Sequence, residues 1–440
     1  LHPVGPLLPE TAVRRFLDSL IKPTCILVAI SGGSDSTGLL LALVEALKAI
    51  PNSSMSLCAV TVDHALRTES ADEAHQVAAF CRSLEIPHLI KVWQGEKPKA
   101  GMMAAARDAR YALLSDAAEN MNADIVVTAH TADDQHETLA MRRERSEQPS
   151  IGIADLVLFD RRLWIARPLL GCRREAIRDY LRARHVAWID DPSNEDLKYE
   201  RVRIRSRLKE GNIVANTDGA GELRSGIATL AARWLEQYFV FHSPWIGLVV
   251  QAGLVAETEI LSYAVARLAA VFGGQPFALS RKQTEDVLAF IRRAEPGRMT
   301  AGRVVFDLRR DGLFLGREDR GILPLTLATG ERDVWDGRLL IENAAPTDIG
   351  IVAGRAEAQT THLPKGVVRR ALATAPRIVD MRGHEASAKV AGKVRVTPYF
   401  SPFDRFLTRF DFIFAQSLAA AFGARPYPKP PLGLIDGKSI

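Results

Sequence analysis

The stretch Ser31-Gly32-Gly33-Ser34-Asp35-Ser36 joins two apolar runs, Cys25-Ile26-Leu27-Val28-Ala29-Ile30 before it and Thr37-Gly38-Leu39-Leu40-Leu41 after it. The first run has the length of a buried strand and the second opens a helix, so the glycines fall at a strand-to-helix turn. Two glycines permit positive φ and close backbone approach, the serines supply hydroxyls, and the helix presents unpaired N–H groups at its positive end. That combination is a cradle for phosphate. Asp35 is its unusual member, because a carboxylate among phosphate-binding amides is repulsive unless a cation lies between them, and Mg²⁺ is the natural one. A plain turn in which Ser34 or Asp35 only caps the helix is the competing account. The spacing is not GxxxxGK[ST]; the tail from Gly433 to Ser439 falls one residue short of that pattern and has no helix after it.

Outward from the loop, the first 140 residues repeat a strand-then-helix rhythm. Strands are expected at 25–30, 56–62, 88–93 and 123–129, with helices at 37–50, 69–85, 102–120 and 132–145. This is the pattern of an α/β protein with a doubly wound parallel sheet, which binds ligands beyond the carboxyl ends of its strands. After strand two comes Asp63-His64-Ala65-Leu66-Arg67, by itself an ordinary polar loop. After strand four comes His130-Thr131-Ala132-Asp133-Asp134-Gln135-His136-Glu137-Thr138. Thr131 to Asp134 also satisfies a capping box, for which no chemistry is needed. Yet His130, Asp133 and Asp134 would share a sheet edge with Asp35, and carboxylates from two strand ends near a phosphate loop point to metal-assisted nucleotidyl chemistry. Arg107 and Arg110 stand three residues apart on an alanine-rich helix, either a solvated basic face or ligands for an anion.

The rhythm changes at 163, with a short strand at 163–166, a basic helix at 173–184, turn residues at 190–194 and a second basic helix at 199–208. Helical patterns follow at 230–237, 257–272 and 280–293, then strands at 303–308 and 312–315. A chain of 440 residues exceeds one ordinary core, so three regions are expected: 1–215, 216–325 (helical and mixed) and 326–440 (a smaller α+β domain). The net charge is only +5, but 161–210 holds fourteen basic and eight acidic residues, which makes it the place to look for a polyanion. Cys25, Cys58, Cys81 and Cys172 show no CxxC spacing and read as reduced, buried thiols. No apolar run reaches membrane-spanning length, and Leu1 to Pro6 has no signal-peptide pattern, though a start at Leu fits a trimmed chain. A soluble, cytoplasmic protein with no membrane partner is expected.

SGGSDS after strand one resembles the PP-loop of the N-type ATP pyrophosphatases, whose members split ATP into AMP and pyrophosphate by adenylating a substrate. Further segments in order resemble one family among them, the tRNA(Ile)-lysidine synthases: VDHALR at 62–67, ARDARY at 106–111, AHTADDQHET at 129–138, ARPLLGCRRE at 166–175 and DDPSNEDLKYERVRIR at 190–205. The resemblance implies an adenine nucleotide alpha hydrolase-like first domain, and a reaction in which ATP and L-lysine convert the wobble cytidine of tRNA(Ile) bearing CAU into lysidine. It implies that Ser31, Gly32, Gly33, Ser34 and Ser36 grip pyrophosphate and that Asp35 holds Mg²⁺. Asp133 or Asp134 would share the metal or orient the lysine amine, and Arg107 and Arg110 would meet phosphate or cytidine. Asp63, His64 and His130 would border the nucleotide, Arg201 and Arg205 would meet ATP or tRNA backbone, and the regions after 215 would bind and recognise the tRNA. A homodimer is compatible with this layout. The chain departs from the family pattern at 139–147, which lacks the usual Arg-Gly-Ser-Gly, and at Val202, where Asn is common. The rival assignments are another PP-loop enzyme, against which the absent CxxC and amidotransferase parts speak, and a catalytically degenerate nucleotide- or RNA-binding protein.

Overall fold

The computed structural model describes residues 7–21, 23–50, 54–98, 100–145, 151–190, 203–204, 219–354, 362–435 and 438–439. Its contacts divide the chain into two compact units, 1–221 with 428–440, and 222–427.

In the first unit α1 (Pro9–Asp18) precedes β1 (Cys25–Ala29), α2 (Ser34–Lys48), β2 (Ser56–Asp63), α3 (Ser70–Ser83), β3 (His88–Val92), α4 (Met102–Asn120), β4 (Ile125–Val127) and α5 (Ala132–Arg145). Two further strands, β5 (Leu156–Phe159) and β6 (Leu163–Ala166), and a helix, α6 (Arg174–Arg182), complete it. Among the strands of this unit the order is β5-β6-β4-β1-β2-β3. Pairing is parallel from β3 through β2, β1 and β4 to β6, and antiparallel between β5 and β6. The parallel βα expectation therefore holds over the first four strands, with β5 an addition that the sequence did not disclose.

Ile26, Leu27 and Val28 of β1 are wholly buried, as a central strand covered on both faces requires. The chain winds from β1 outward to β3, then returns to β4 on the other side of β1. That reversal opens a crevice beyond the carboxyl ends of β1 and β4. Val28 lies opposite Val127, so the chain leaves the two strands side by side, into Ser31 and His130 respectively.

Helix α2 buries Leu39 to Val44 and packs on α6 through Gly38. A Cβ on Gly38 would lie 2.3 Å from Cγ2 of Ile177, a wholly buried β-branched side chain with nowhere to retreat. Overpacking of this kind costs about 1–3 kcal/mol, and alanine's helix propensity returns roughly 1 kcal/mol. Gly38→Ala is therefore expected to lower the thermal midpoint measurably; an unchanged or raised midpoint would refute the close contact.

The end of the chain returns to this unit. Leu20 bridges Leu432, Gly433 donates its N–H to the Ser19 carbonyl, and Trp164 Nε1 donates to the Pro428 carbonyl. Leu434–Ile435 pairs antiparallel with Lys438–Ser439.

The second unit begins with a helix, Ala220–Tyr238, and carries a five-stranded antiparallel sheet in the order β7-β8-β11-β10-β9, where β7 is Phe239–His242, β8 Ile246–Val250, β9 Gly297–Ala301, β10 Val304–Arg309 and β11 Gly312–Arg317. Helices Thr258–Gly273 and Arg281–Arg292 lie between β8 and β9 in sequence. The middle region is thus richer in strand than its helical periodicity suggested, because the aromatic and β-branched run after Tyr238 turns directly into a hairpin. Two three-stranded sheets follow: β12 (Leu325–Leu327), β15 (Ile349–Gly354) and β16 (Ala375–Val379); and β13 (Arg332–Trp335), β14 (Leu339–Asn343) and β17 (Val394–Pro398).

The boundary expected near 325 falls inside this second unit. Asp336, beyond β13, binds Arg303 between β9 and β10 and Arg317 at the end of β11, which joins the middle strands to the later ones.

Candidate active site

At the end of β1, Gly32 has φ +85°, and a Cβ there would lie 2.7 Å from Ile189 Cδ1 and 2.9 Å from Val77 Cγ2. Only glycine fits, both by conformation and by space. The Ile189 N–H donates to the Gly32 carbonyl at 2.9 Å, and Thr37 Oγ1 donates to the same oxygen at 3.1 Å, so the loop is fastened from both sides. Ser36 Oγ accepts the Ser31 N–H at 3.1 Å and donates to the Gly33 carbonyl at 3.1 Å. Gly33 is the N-cap of α2 and no side chain caps that helix. The first-turn amides therefore face the crevice beside Ser31 to Ser36, which is the arrangement a phosphate needs.

At the end of β4, Asp134 is both things that the sequence left open. Its Oδ2 accepts the Thr131 N–H at 2.7 Å, and its own N–H donates to Thr131 Oγ1 at 3.4 Å, the reciprocal bonds of a cap. Its Oδ1 faces the other way and accepts Arg174 Nη2 at 3.1 Å. Arg174 Nε donates to Asp35 Oδ2 at 2.9 Å, and Nη1 is 3.9 Å from Glu137 Oε1. A single guanidinium thus bridges the carboxylates that leave β1 and β4. Asp133 is engaged differently, since its Oδ2 accepts the backbone N–H of Arg174 at 2.8 Å and holds the first turn of α6 against α5.

Burial raises the Asp35 carboxyl above the usual carboxylate range, the charge and hydrogen bond of Arg174 pull it back, and Asp134 pushes it up again. For Arg174, burial works against the charged form, but Asp35 and Asp134 outweigh it and hold the guanidinium above its ordinary value. Asp35, Asp134 and Glu137 thus all lie around the one guanidinium of Arg174.

The remaining candidates lie at the end of β2, after β4 and on α4. Asp63 Oδ1 accepts the Ala65 N–H at 2.7 Å, shaping the turn after β2. His64 packs edge-on to Trp93 with ring centroids 6.0 Å apart, and its Nδ1 is buried with no hydrogen-bond partner among the described residues. Burial, then the charge of Arg110, lowers its pKa, with Asp63 opposing. His130 Nδ1 lies 3.0 Å from Thr128 Oγ1. The Arg107 guanidinium sits 5.1 Å from the centre of the Tyr111 ring. Arg201 and Arg205 lie outside the described residues, as does nearly all of the second basic helix.

Among the described residues no group of three or more His, Cys, Asp or Glu side chains forms a metal cage. Mg²⁺ does not need one, since it is commonly held by one or two carboxylates together with substrate phosphates and water. Asp35 Oδ2 and Asp134 Oδ1, hard oxygens beside a phosphate cradle, fit that mode.

A loop of this geometry at the switch point of a parallel sheet, with carboxylates opposite it, defines a PP-loop nucleotide-binding protein, and residues 9–211 match the PP-loop domain family model. Relatives over nearly the full length are more particular. The tRNA(Ile)-lysidine synthase of Rhizobium meliloti strain 1021 is 40% identical over 437 residues, covering 95% of this chain and 96% of that protein. That of Mesorhizobium japonicum is 38% identical, covering 92% and 94%, and that of Brucella canis 34% identical, covering 91% and 95%. The chain belongs to the tRNA(Ile)-lysidine synthase family.

Proposed function

We propose that the crevice between β1 and β4 is the adenylation site of an enzyme that uses ATP to join lysine to C2 of the wobble cytidine of tRNA(Ile) bearing CAU. The reaction gives lysidine, AMP and pyrophosphate. The observation that carries this assignment is the juxtaposition of the uncapped, glycine-built start of α2 with the Asp35–Arg174–Asp134 bridge.

The pyrimidine C2 oxygen is a poor leaving group. Its attack on the α-phosphorus of ATP expels pyrophosphate and converts it into a good one. The lysine ε-amine then attacks C2, loses a proton, and AMP departs with the oxygen. The target base leaves its stack to reach the site, as in other enzymes that act on a nucleobase. The amides of Ser34 and Asp35 and the hydroxyls of Ser31, Ser34 and Ser36 hold the departing pyrophosphate, offsetting charge where it develops. Mg²⁺ held by Asp35 and Asp134 supplies charge neutralisation at the phosphates. Asp133 acts by fixing α6, and so Arg174, in place. Arg107 and Arg110 face phosphate or cytidine, His64 and His130 border the nucleotide, and the basic residues of 161–210 and the second unit hold the tRNA. No helix among the described residues is long and apolar enough to cross a membrane, and a cytoplasmic location suits a tRNA substrate.

The test is incubation with ATP, labelled lysine and unmodified tRNA(Ile) bearing CAU. Incorporation that depends on the wobble cytidine supports the assignment; ATP binding without incorporation overturns it. In the same assay Asp134→Asn is expected to lose about a hundredfold or more in rate, since it removes a charge facing the crevice. Asp133→Asn should lose far less, because an amide oxygen still accepts the α6 N–H; equal losses would reject the division of roles.

A further inference from the structure

We propose that Arg174 is a displaceable counter-ion of the metal position: in the free protein its guanidinium occupies the place between Asp35 and Asp134 that a divalent cation takes when ATP binds. This rests on the assignment of Asp35 and Asp134 as the metal-holding pair.

The oxygens decide it. Asp134 Oδ2 is committed to the Thr131 N–H at 2.7 Å and to Thr131 Oγ1 at 3.0 Å, with Thr131 wholly buried. Oδ1 turns away from that cap and receives Arg174 Nη2. Asp35 Oδ1 accepts the Ser34 hydroxyl at 3.3 Å, while Oδ2 receives Arg174 Nε. The two oxygens best placed for a metal are the two that the guanidinium holds. A metal at its ordinary bond length of about 2 Å from these oxygens would stand against a second full positive charge about 3 Å away.

Glu137 stands beside the guanidinium of Arg174. Its side chain is 2% exposed and its Oε1 lies 3.9 Å from Nη1, outside direct hydrogen-bonding distance in the free state but adjacent to it. A small swing of the guanidinium exchanges Asp35 and Asp134 for Glu137 and the incoming phosphates. The backbone of Arg174 need not move, since its N–H is held by Asp133.

Without such a counter-ion, Asp35 and Asp134 would repel each other across the crevice. Arg174 offsets that repulsion and holds the position against solvent cations until nucleotide brings the metal. It also sets the order of events, making tight metal binding conditional on the phosphates that receive the displaced guanidinium.

The experiment is Mn²⁺ binding to nucleotide-free protein, read by electron paramagnetic resonance of the free ion, with thermal melting as a check on folding. Arg174→Gln, which empties the position of charge, is expected to bind Mn²⁺ about tenfold more tightly than wild type, one pK unit being the low end of the interaction between a carboxylate and an adjacent arginine. Arg174→Lys, with one ammonium that cannot span both carboxylates, should fall between them, and it keeps the test intact if the glutamine variant does not fold. Affinity unchanged or weakened in both variants overturns the proposal. In that event a loss of Mg²⁺-dependent ATP binding in Asp35→Asn still upholds the metal assignment by itself. If Arg174→Gln gains affinity but the gain survives addition of Asp35→Asn, the cation is not on Asp35, and the metal assignment falls together with the proposal.

Discussion

Asp35→Asn is expected to lose about a thousandfold in lysidine formation while the protein melts within a few degrees of wild type. The two halves have one cause. A unit charge about 4 Å from a developing charge is worth about 4 kcal/mol at the effective dielectric of a protein crevice, which is about three powers of ten in rate. Asparagine keeps the shape and loses that charge. Stability responds otherwise, because burial already disfavours the ionised form of Asp35 and raises its pKa. A neutral amide removes a desolvation cost at the same time as it weakens one arm of the Arg174 bridge. Arg174 keeps Asp134 and has Glu137 beside it, so no guanidinium is stranded. Single-turnover rates with saturating ATP, set beside melting curves, check this. A fall in melting temperature of ten degrees or more, or a rate within tenfold of wild type, would show that Asp35 is a structural capping residue after all.

The half of the site that lies in short contiguous stretches was open to sequence reasoning. SGGSDS carries its own conformational signature, since Gly32 occupies a φ and a space that no other residue fills. The βα rhythm placed His130 to Asp134 at the neighbouring strand end, and register confirms the adjacency. Adjacent residues such as Asp133 and Asp134 cannot be separated by periodicity, because either one can turn into the crevice. What separates them is the position of α6, a helix some forty residues further on, whose first N–H takes Asp133.

Arg174 was missed for the same reason: its partner Asp35 is 139 positions away. A signal was nonetheless present in GCRRE. Two arginines at the start of a helix oppose its dipole, and a local choice that contradicts its own element marks a residue placed for a distant reason. Strand β5 left a weaker trace. Leu156 to Phe159 is a four-residue apolar run, too short for its period to distinguish strand from buried turn, and it pairs antiparallel with β6 through a tight turn at Asp160 to Arg162 that takes positive φ at Asp160 and Arg161 without a glycine to announce it.

Beyond 325 the difficulty is different again, since short strands with mixed burial carry little period, and the contacts that unite them with the middle region, one buried carboxylate prominent among them, join residues far apart in sequence. Asp336 accepts Arg317 Nε at 2.9 Å and Nη2 at 3.0 Å, Arg338 Nε at 2.7 Å, and Arg303 Nη2. The side chains of Arg317 and Arg338 are 0% and 1% exposed, and that of Asp336 is 1% exposed. Burial brings the Arg338 pKa down to about 10 even with Asp336 opposing the fall. Backbone carbonyls satisfy part of the need: Arg338 Nη2 donates to Thr374 and Arg317 Nη2 to Arg320. These dipoles solvate the guanidiniums without neutralising them. Asp336→Asn therefore leaves two buried arginines with no counter-charge, and breaking a buried pair in this way costs about 3–5 kcal/mol. Against a total stability of about 5–15 kcal/mol, that is enough to unfold a large fraction of the second unit under mild denaturant. Urea titration followed by the fluorescence of Trp335 and its neighbours measures it. A loss below 1 kcal/mol would mean that carbonyls alone suffice to hold the two arginines, and that the join between the middle and later strands rests on apolar packing instead.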